Sequence, residues 1–168
     1  MRIHLVGLIA AALSSALQAQ PADTSRLETS KVLLVYDKVD STSRFYIETL
    51  RQQLSKTGIP FDETAVDTTG KADISPYDCL VVYSQVMAFT MIAPVKKWLR
   101  SLGDLQGKRI LIFVTANRWF ADKQRKDLAK FIAKRNGTVV DAVSMATSRK
   151  SPEQRVQWMQ TPLEKLGH

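Results

Sequence analysis

The sequence has few of the residues on which many enzymes rely for catalysis. It contains two histidines, His4 and His168, close to its two ends, so the chain between them has no imidazole. This absence excludes Ser-His-Asp and Cys-His catalysis in the folded domain and removes most zinc sites. The single cysteine, Cys79, lies in an apolar stretch. No intramolecular disulfide can therefore form, and the thiol is expected in the core.

Apolar runs long enough to cross a membrane are also missing. The apolar stretch Leu5–Leu17 is about thirteen residues long, too few to span a bilayer, and no later run is long enough. With Arg2 before it and the small residue Ala19 after it, this stretch is typical of a secretory signal peptide. We predict a signal peptide over 1–19 with cleavage near Ala19, a flexible lead-in over 20–30, and a single domain over 31–168. The expected location is periplasmic or secreted.

Positive charge exceeds negative charge, with 24 lysines and arginines against 16 aspartates and glutamates and a formal net charge of +8. The basic residues are scattered among acids, and the densest cluster, Lys123–Lys134, lies on the polar face of a predicted helix. This distribution indicates a solvated surface and argues against a nucleic-acid site. An anionic membrane surface or an acidic protein partner remains compatible with the charge.

Apolar patterns divide the chain into alternating strands and helices. Three continuous apolar runs predict strands buried on both faces, and two weaker patterns predict further strands. In chain order the five predicted strands are Val32–Tyr36, Phe61–Val66, Tyr77–Tyr83, Lys108–Thr115 and Thr138–Val143. Amphipathic helices are predicted after the first, third, fourth and fifth strands. The last begins with a capping box at Ser151 and Gln154, and Pro162 should kink or shorten it. This alternation predicts a parallel sheet covered on both faces.

At this chain length the strand order 2-1-3-4-5 is expected, which places a ligand site at the switch point between strands 1 and 3. The loops Asp37–Arg44, Ser84–Thr90 and Thr115–Phe120 would meet there. The first loop combines backbone N–H groups, short hydroxyls and two cations before a helix, which suits a phosphate. The alternative is that Asp40 or Ser41 simply caps that helix.

The chain resembles the flavodoxin-like family over nearly all of residues 31–168. The family has a strand, a loop of the form Ser-x-Thr-Gly-x-Thr and a helix, and the stretch from Tyr36 to Leu54 matches their spacing without a gap. YDCLVVYSQV, PVKKWL and DLQGKR resemble the family's third strand, the helix after it and the start of its fourth strand. The resemblance implies an α/β flavodoxin-like three-layer sandwich, with a five-stranded parallel sheet (order 2-1-3-4-5) and helices on both faces.

The resemblance also implies a cofactor and a function. It implies that the protein binds FMN and takes part in electron transfer or quinone- or NAD(P)H-linked reduction, as an FMN-dependent oxidoreductase or an electron carrier. The partners would be a flavin nucleotide and a redox protein or quinone, with neither nucleic acid nor metal and no transmembrane segment. The implied cofactor-binding residues are Lys38, Asp40, Ser41, Thr42, Ser43, Ser84, Gln85, Val86, Phe89, Thr115, Asn117 and Trp119.

Two features of the first loop depart from the family and support an alternative function. The loop Asp37–Ser43 contains no glycine, which limits how closely its backbone can curl around a phosphate. Asp40 puts a negative charge where the family has a hydroxyl. The alternative is a flavin-free, flavodoxin-like binding or scaffold domain of the cell envelope.

Overall fold

The structure is a computed structural model and describes residues 31–66, 72–86, 94–118 and 120–167. These residues form the strands β1 (Val32–Tyr36), β2 (Phe61–Ala65), β3 (Cys79–Val86), β4 (Arg109–Ala116) and β5 (Thr138–Ala146). The α-helices are α1 (Arg44–Thr57), α2 (Pro94–Leu102), α3 (Ala121–Ala133) and α4 (Pro152–Leu163), and a 3₁₀ turn follows at Glu164–Gly167. The predicted signal peptide and lead-in lie outside the described residues. None of the helices described is long and apolar enough to cross a membrane.

All five strands are parallel and lie in the order β2-β1-β3-β4-β5. The predicted fold class is confirmed. Successive side chains of a strand point to opposite faces, so each buried strand supplies two separate cores. On one face, Leu33 and Val35 of β1 lie in the core under α2 and α3. On the other, Leu34 and Tyr36 lie in the core under α1 and α4.

β3 and β5 each extend three residues further than their sequence patterns predict, and β4 extends one residue further. β3 continues past Tyr83 to Val86 because its last three residues pair with the end of β4. Polar Ser84 and Gln85 broke the apolar run, so the predicted loop starting at Ser84 is wrong by three residues. β5 likewise continues past Val143 to Ala146, paired with β4 throughout.

β5 contains a bulge that sets which way its side chains point. The pairing of β5 with β4 shifts by one position near the start of the strand, so Val140 is an extra residue. After the shift Val140 and Val143 both pack towards α1 and α4, although they are three residues apart. Asp141 forms an ion pair with Lys165, its carboxylate 2.7 Å from the ammonium nitrogen.

The last helix begins as predicted. Ser151 Oγ accepts a hydrogen bond from the Gln154 N–H at 3.3 Å, and the Gln154 side chain accepts one from the Ser151 N–H at 3.1 Å. Pro162 lies inside α4, which ends one residue later and continues as the 3₁₀ turn. Its position fits the prediction of a shortened helix.

Candidate functional site

A buried carboxylate lies at the switch point of the sheet. Asp37 follows β1 directly and is 9% exposed. Its Oδ2 accepts hydrogen bonds from the Gln85 N–H at 2.9 Å and the Ser84 hydroxyl at 3.2 Å, and its Oδ1 accepts one from the Val95 N–H at 3.0 Å. These bonds join the ends of β1 and β3 to the first turn of α2. Burial raises the pKa of Asp37, and the three hydrogen bonds offset this only in part.

A second carboxylate, that of Asp40, closes the loop before α1. Its Oδ1 accepts hydrogen bonds from the Thr42 N–H at 2.9 Å and the Ser43 N–H at 2.8 Å. The Asp40 carbonyl accepts from the Arg44 N–H at 3.0 Å, which closes the turn just before α1. Asp40 therefore caps the turn that leads into α1, while the N-cap residue of α1 itself is Ser43, whose side chain makes no capping bond to the helix. These bonds, above all the one from Ser43, lower the pKa of Asp40, so the capping group is an anion at neutral pH.

The Ser43 hydroxyl completes this cap. It is buried, donates a hydrogen bond to the Lys38 carbonyl at 2.7 Å and accepts one from the Asp40 N–H at 2.9 Å. Asp40 and Ser43 thus satisfy each other's backbone groups, in the manner of a capping box. In this conformation the hydroxyl's own hydrogen is already bonded within the loop.

The face of the sheet under α1 and α4 holds a different polar cluster. The Tyr83 hydroxyl and Thr115 Oγ1 lie 2.8 Å apart and both residues are buried. The Tyr83 ring stacks on that of Tyr46, with centroids 5.8 Å apart. Among the described residues, the buried Tyr46 hydroxyl and Arg155 Nε make no well-formed hydrogen bond. Burial raises the pKa of both tyrosines.

The structure brings some of the predicted site residues together and separates others. Lys38, Asp40, Ser41, Thr42 and Ser43 share the loop before α1, in which Lys38, Ser41 and Thr42 are exposed and Ser43 is buried. The remaining described residues are Ser84, Gln85, Val86, Thr115 and Asn117. Phe89 and Trp119 lie outside the described residues.

Ser84 and Thr115 do not face the same side of the sheet. Ser84 bonds to Asp37 on the side of α2, whereas Thr115 bonds to Tyr83 on the side of α1 and α4. Val86 is half-buried at the end of β3, and Asn117 is exposed, its carbonyl accepting from the Ser148 N–H at 3.0 Å. A ligand on one face can therefore contact only one of these two buried hydroxyls directly.

Asp37 is a site residue that the sequence-based set omitted. The sequence feature that could have identified it is an acidic side chain directly after a wholly apolar strand, at the switch point of the sheet. Its partners were not predictable, since they lie 47, 48 and 58 residues further along the chain.

Comparison with known proteins finds similarity in structure alone. No family model matches the sequence, and no curated protein matches it. A flavodoxin from Streptococcus pneumoniae has a TM-score of 0.63 and 14% identity, over 82% of this chain and 97% of that one. Megasphaera elsdenii flavodoxin has a TM-score of 0.61 and 14% identity, over 79% and 98%. The Thermotoga maritima flavo-diiron protein has a TM-score of 0.61 and 13% identity, over 84% of this chain and 36% of its own.

The chain has a flavodoxin-like fold. At 13–16% identity across the similar structures, its sequence is that of a divergent member of this fold. A flavin phosphate bound as the sequence resemblance implies would lie in the loop before α1, where free N–H groups and the helix dipole would attract an anion. In this flavodoxin-like chain the N–H groups of Thr42 and Ser43 instead bond to the Asp40 carboxylate. The loop as it stands does not fit a phosphate.

Proposed function

We propose that this protein is a flavin-independent, flavodoxin-like binding domain, which engages a partner through the carboxyl ends of β1, β3 and β4. One observation carries the proposal: the Asp40 carboxylate occupies the N–H groups of Thr42 and Ser43 in the turn just before α1. An incoming phosphate would have to displace this anion and would then lie beside it. Like charges at contact distance disfavour such binding.

A second internal anion strengthens the argument. The Asp37 carboxylate accepts hydrogen bonds from the Gln85 N–H at the end of β3 and from the Val95 N–H at the start of α2. These are backbone donors that a ligand at the switch point would otherwise use. Both sets of donors are therefore satisfied within the protein and are not open to a nucleotide.

Titration of the purified protein with FMN tests the proposal. We expect no quenching of flavin fluorescence with protein on the order of 100 µM, and no shift of the melting temperature. Asp40→Gly frees both N–H groups and removes the charge, so this variant should gain measurable FMN affinity. Asp73→Gly is the matched control. The Asp73 carboxylate accepts a hydrogen bond from the Ser75 N–H at 2.9 Å in a turn outside the site, so this substitution removes the same charge and the same kind of bond. Quenching by the unaltered protein at micromolar concentration would refute flavin independence.

A second candidate is an FMN-dependent electron carrier or oxidoreductase, with a redox protein or quinone as its partner. The structural similarity to flavodoxins and a flavo-diiron protein favours it. Here the Asp40 side chain turns outwards and Lys38, Ser41, Thr42 and Ser43 hold the phosphate. Gln85, Val86 and Asn117 contact the ring edge, with Phe89 or Trp119 stacked on the ring. A yellow preparation that releases FMN on denaturation would support this candidate over the first.

We also propose that the protein is exported, for which the sequence of residues 1–19 is the support. N-terminal sequencing of the protein purified from its native host should begin near Gln20. A mature chain that still begins at Met1 would contradict export through a cleaved signal.

A further inference from the structure

The positive charge of the protein is concentrated on one face of the sheet. Helices α2 and α3, each with the two residues that follow it, carry nine lysines and arginines against three aspartates. Helices α1 and α4, counted in the same way, carry five against three acids. The residues outside the described ranges contain three basic and three acidic side chains, so they leave the formal net charge of +8 unchanged. The layer of α2 and α3 therefore carries most of that charge.

The cations of α2 lie on the side of the helix that faces away from the core. Val95, Trp98 and Leu99 are buried against the sheet. At 3.6 residues per turn, the basic residues of the helix fall on the opposite side, within an arc of about 100°. They are Lys96, Lys97 and Arg100. The helix contains no acid, and none of the three forms an ion pair with a described residue.

The acids of α3 neutralise only the first half of that helix. Asp122 forms ion pairs with Arg125 and Lys126, at 2.6 and 2.7 Å, and Asp127 forms one with Lys123 at 3.2 Å. This half is the solvated, charge-balanced surface that the sequence predicts. No described acid pairs with the cations at the end of α3 and just after it, which are Lys130, Lys134 and Arg135.

Two of these cations converge on one aromatic ring between the helices. Lys96 Nζ lies 5.5 Å from the centroid of the Phe131 ring, and Arg135 Cζ lies 4.5 Å from it. A hydrogen bond from Arg135 Nη1 to the Gly103 carbonyl, at 3.2 Å, holds the guanidinium at the end of α2. The two cations are therefore within about 10 Å of each other, the Debye length at 0.1 M salt, and repel each other. An anion bound beside them would relieve this repulsion.

The acids in the turns next to these helices do not offset the charge. Asp104 follows α2, and its Oδ1 accepts a hydrogen bond from the Asn136 side-chain amide at 3.2 Å. Asp73 lies in the turn before β3, where Lys108 adds a further cation that donates to the Ser75 carbonyl at 3.2 Å. With these residues included, this side of the sheet has ten basic against four acidic side chains. Its surface is positively charged.

We infer that the α2–α3 face binds the surface of an anionic lipid membrane. The face is formed by Lys96, Lys97, Arg100, Lys130, Lys134 and Arg135. The inference goes beyond the proposed function, because this face is distinct from the carboxyl edge of the sheet. Each lysine or arginine close to an anionic bilayer strengthens binding about fivefold. Two neighbouring helices hold these cations in one layer, which matches a planar array of lipid phosphates.

The composition of the α2–α3 face argues against two other kinds of partner. Protein interfaces have an apolar centre and few lysines. Here four of the six cations are lysines, and no residue of α2 or α3 is among the large hydrophobic side chains that are exposed in the described chain. Sites for single-stranded nucleic acid stack bases on aromatic rings. The Phe131 ring is half-buried and already contacts Lys96 and Arg135, so it is not open to a base.

Sedimentation with sucrose-loaded vesicles tests the inference. The probes are vesicles of phosphatidylcholine alone and vesicles of an equal mixture of phosphatidylcholine and phosphatidylglycerol, at low salt. We expect the protein to bind only the vesicles that contain phosphatidylglycerol. Since the face has no apolar side chain to insert, binding should be fully reversed at about 1 M salt, where the Debye length is about 3 Å.

A triple variant removes charge from the face without disturbing its packing. Lys97, Arg100 and Lys130 are exposed and do not contact the Phe131 ring, so their replacement together by Gln should leave the melting temperature nearly unchanged. Affinity for the phosphatidylglycerol vesicles should fall about tenfold to a hundredfold. Arg100→Gln alone should reduce it about fivefold.

The matched control removes the same charges from the other side of the sheet. It replaces one arginine and two lysines by Gln, all of them exposed and without an ion pair to a described residue: Arg44, Lys56 and Lys150. The net charge of the two triple variants is identical, so a difference between them reports position. The control should lose less than about threefold in affinity, since its cations lie about a Debye length or more from the bound surface.

Three results would overturn the inference. The first is no binding to phosphatidylglycerol vesicles at low salt; binding to poly-L-glutamate or to duplex DNA in its place would assign the face to an acidic protein or a nucleic acid. The second is an equal loss of affinity in the two triple variants. The third is binding that persists at about 1 M salt, which would show apolar insertion in place of charge attraction.

Discussion

The two carboxylates of the β1–α1 loop should respond to pH in opposite directions. Asp37→Asn keeps the shape of the side chain but leaves only one acceptor oxygen for the donors that Asp37 now satisfies. At least one buried N–H, such as that of Gln85 or Val95, then lacks a partner, at a cost of about 1 to 3 kcal/mol. Asp40→Ala removes the side chain that caps the turn leading into α1 and should cost about 1 kcal/mol.

The pKa shifts give the direction of each pH dependence. Burial raises the pKa of Asp37 in the folded protein. The contribution of this shift to the free energy of unfolding is therefore complete below the pKa that Asp37 has in the unfolded chain, and it is lost as pH rises through the pKa in the folded protein. The pKa of Asp40 is lowered, so its contribution is present above the unfolded pKa and is lost as pH falls through the folded pKa. On acidification from neutrality, the loss of unfolding free energy caused by Asp37→Asn should therefore grow, and the loss caused by Asp40→Ala should shrink.

Urea unfolding followed by circular dichroism, from neutral pH down to about pH 3, measures both losses on the same scale. The double variant should show the two effects nearly added, apart from the weak repulsion between the carboxylates. If the two losses change in the same direction with pH, the assignment of burial to Asp37 and of capping to Asp40 is wrong.

Other changes test the core. Tyr83→Phe leaves the Thr115 hydroxyl without its partner and should lower the free energy of unfolding by about 1 kcal/mol in a urea titration. Gly137→Ala places a methyl group 2.6 Å from Ile132 Cγ2 and should cost about 1 to 3 kcal/mol; an unchanged urea midpoint would contradict this. Burial raises the pKa of the Cys79 thiol to about 12, so an aromatic disulfide reagent should label it only as fast as the protein unfolds, and immediate labelling of native protein would refute its burial.

The sequence predicts the features of this fold that depend on short-range patterns. β1 is found at the predicted residues because a continuous apolar run of five, too short for a typical helix, favours a strand covered on both faces. The predicted alternative that Asp40 or Ser41 caps α1 is wrong in its residue, since Ser43 is the N-cap. Asp40 instead bonds the N–H groups of the turn before the helix, and this acceptor and its donors lie within three residues. The capping box of α4 follows from the same kind of local spacing.

Long-range contacts set the features that the sequence did not predict. Gln85 belongs to a strand only because β4 provides hydrogen bonds for a polar end of β3. Asp37 is buried because an adjacent strand and the first turn of a helix bring donors to it. The opposite orientations of Ser84 and Thr115 follow from the register of β3 and β4. The sequence pattern, which placed both residues at the ends of strands, does not predict that register.

The bulge at Val140 also affects whether the sheet can grow beyond β5. An edge strand exposes a row of unpaired N–H and C=O groups, which a strand from another molecule can extend into an aggregate. Here the extra residue interrupts the regular spacing of those groups. An added strand would also have to remove the ion pair of Asp141 and Lys165 from water, which costs free energy. A single inserted residue thus makes this edge a poor template for fibril growth.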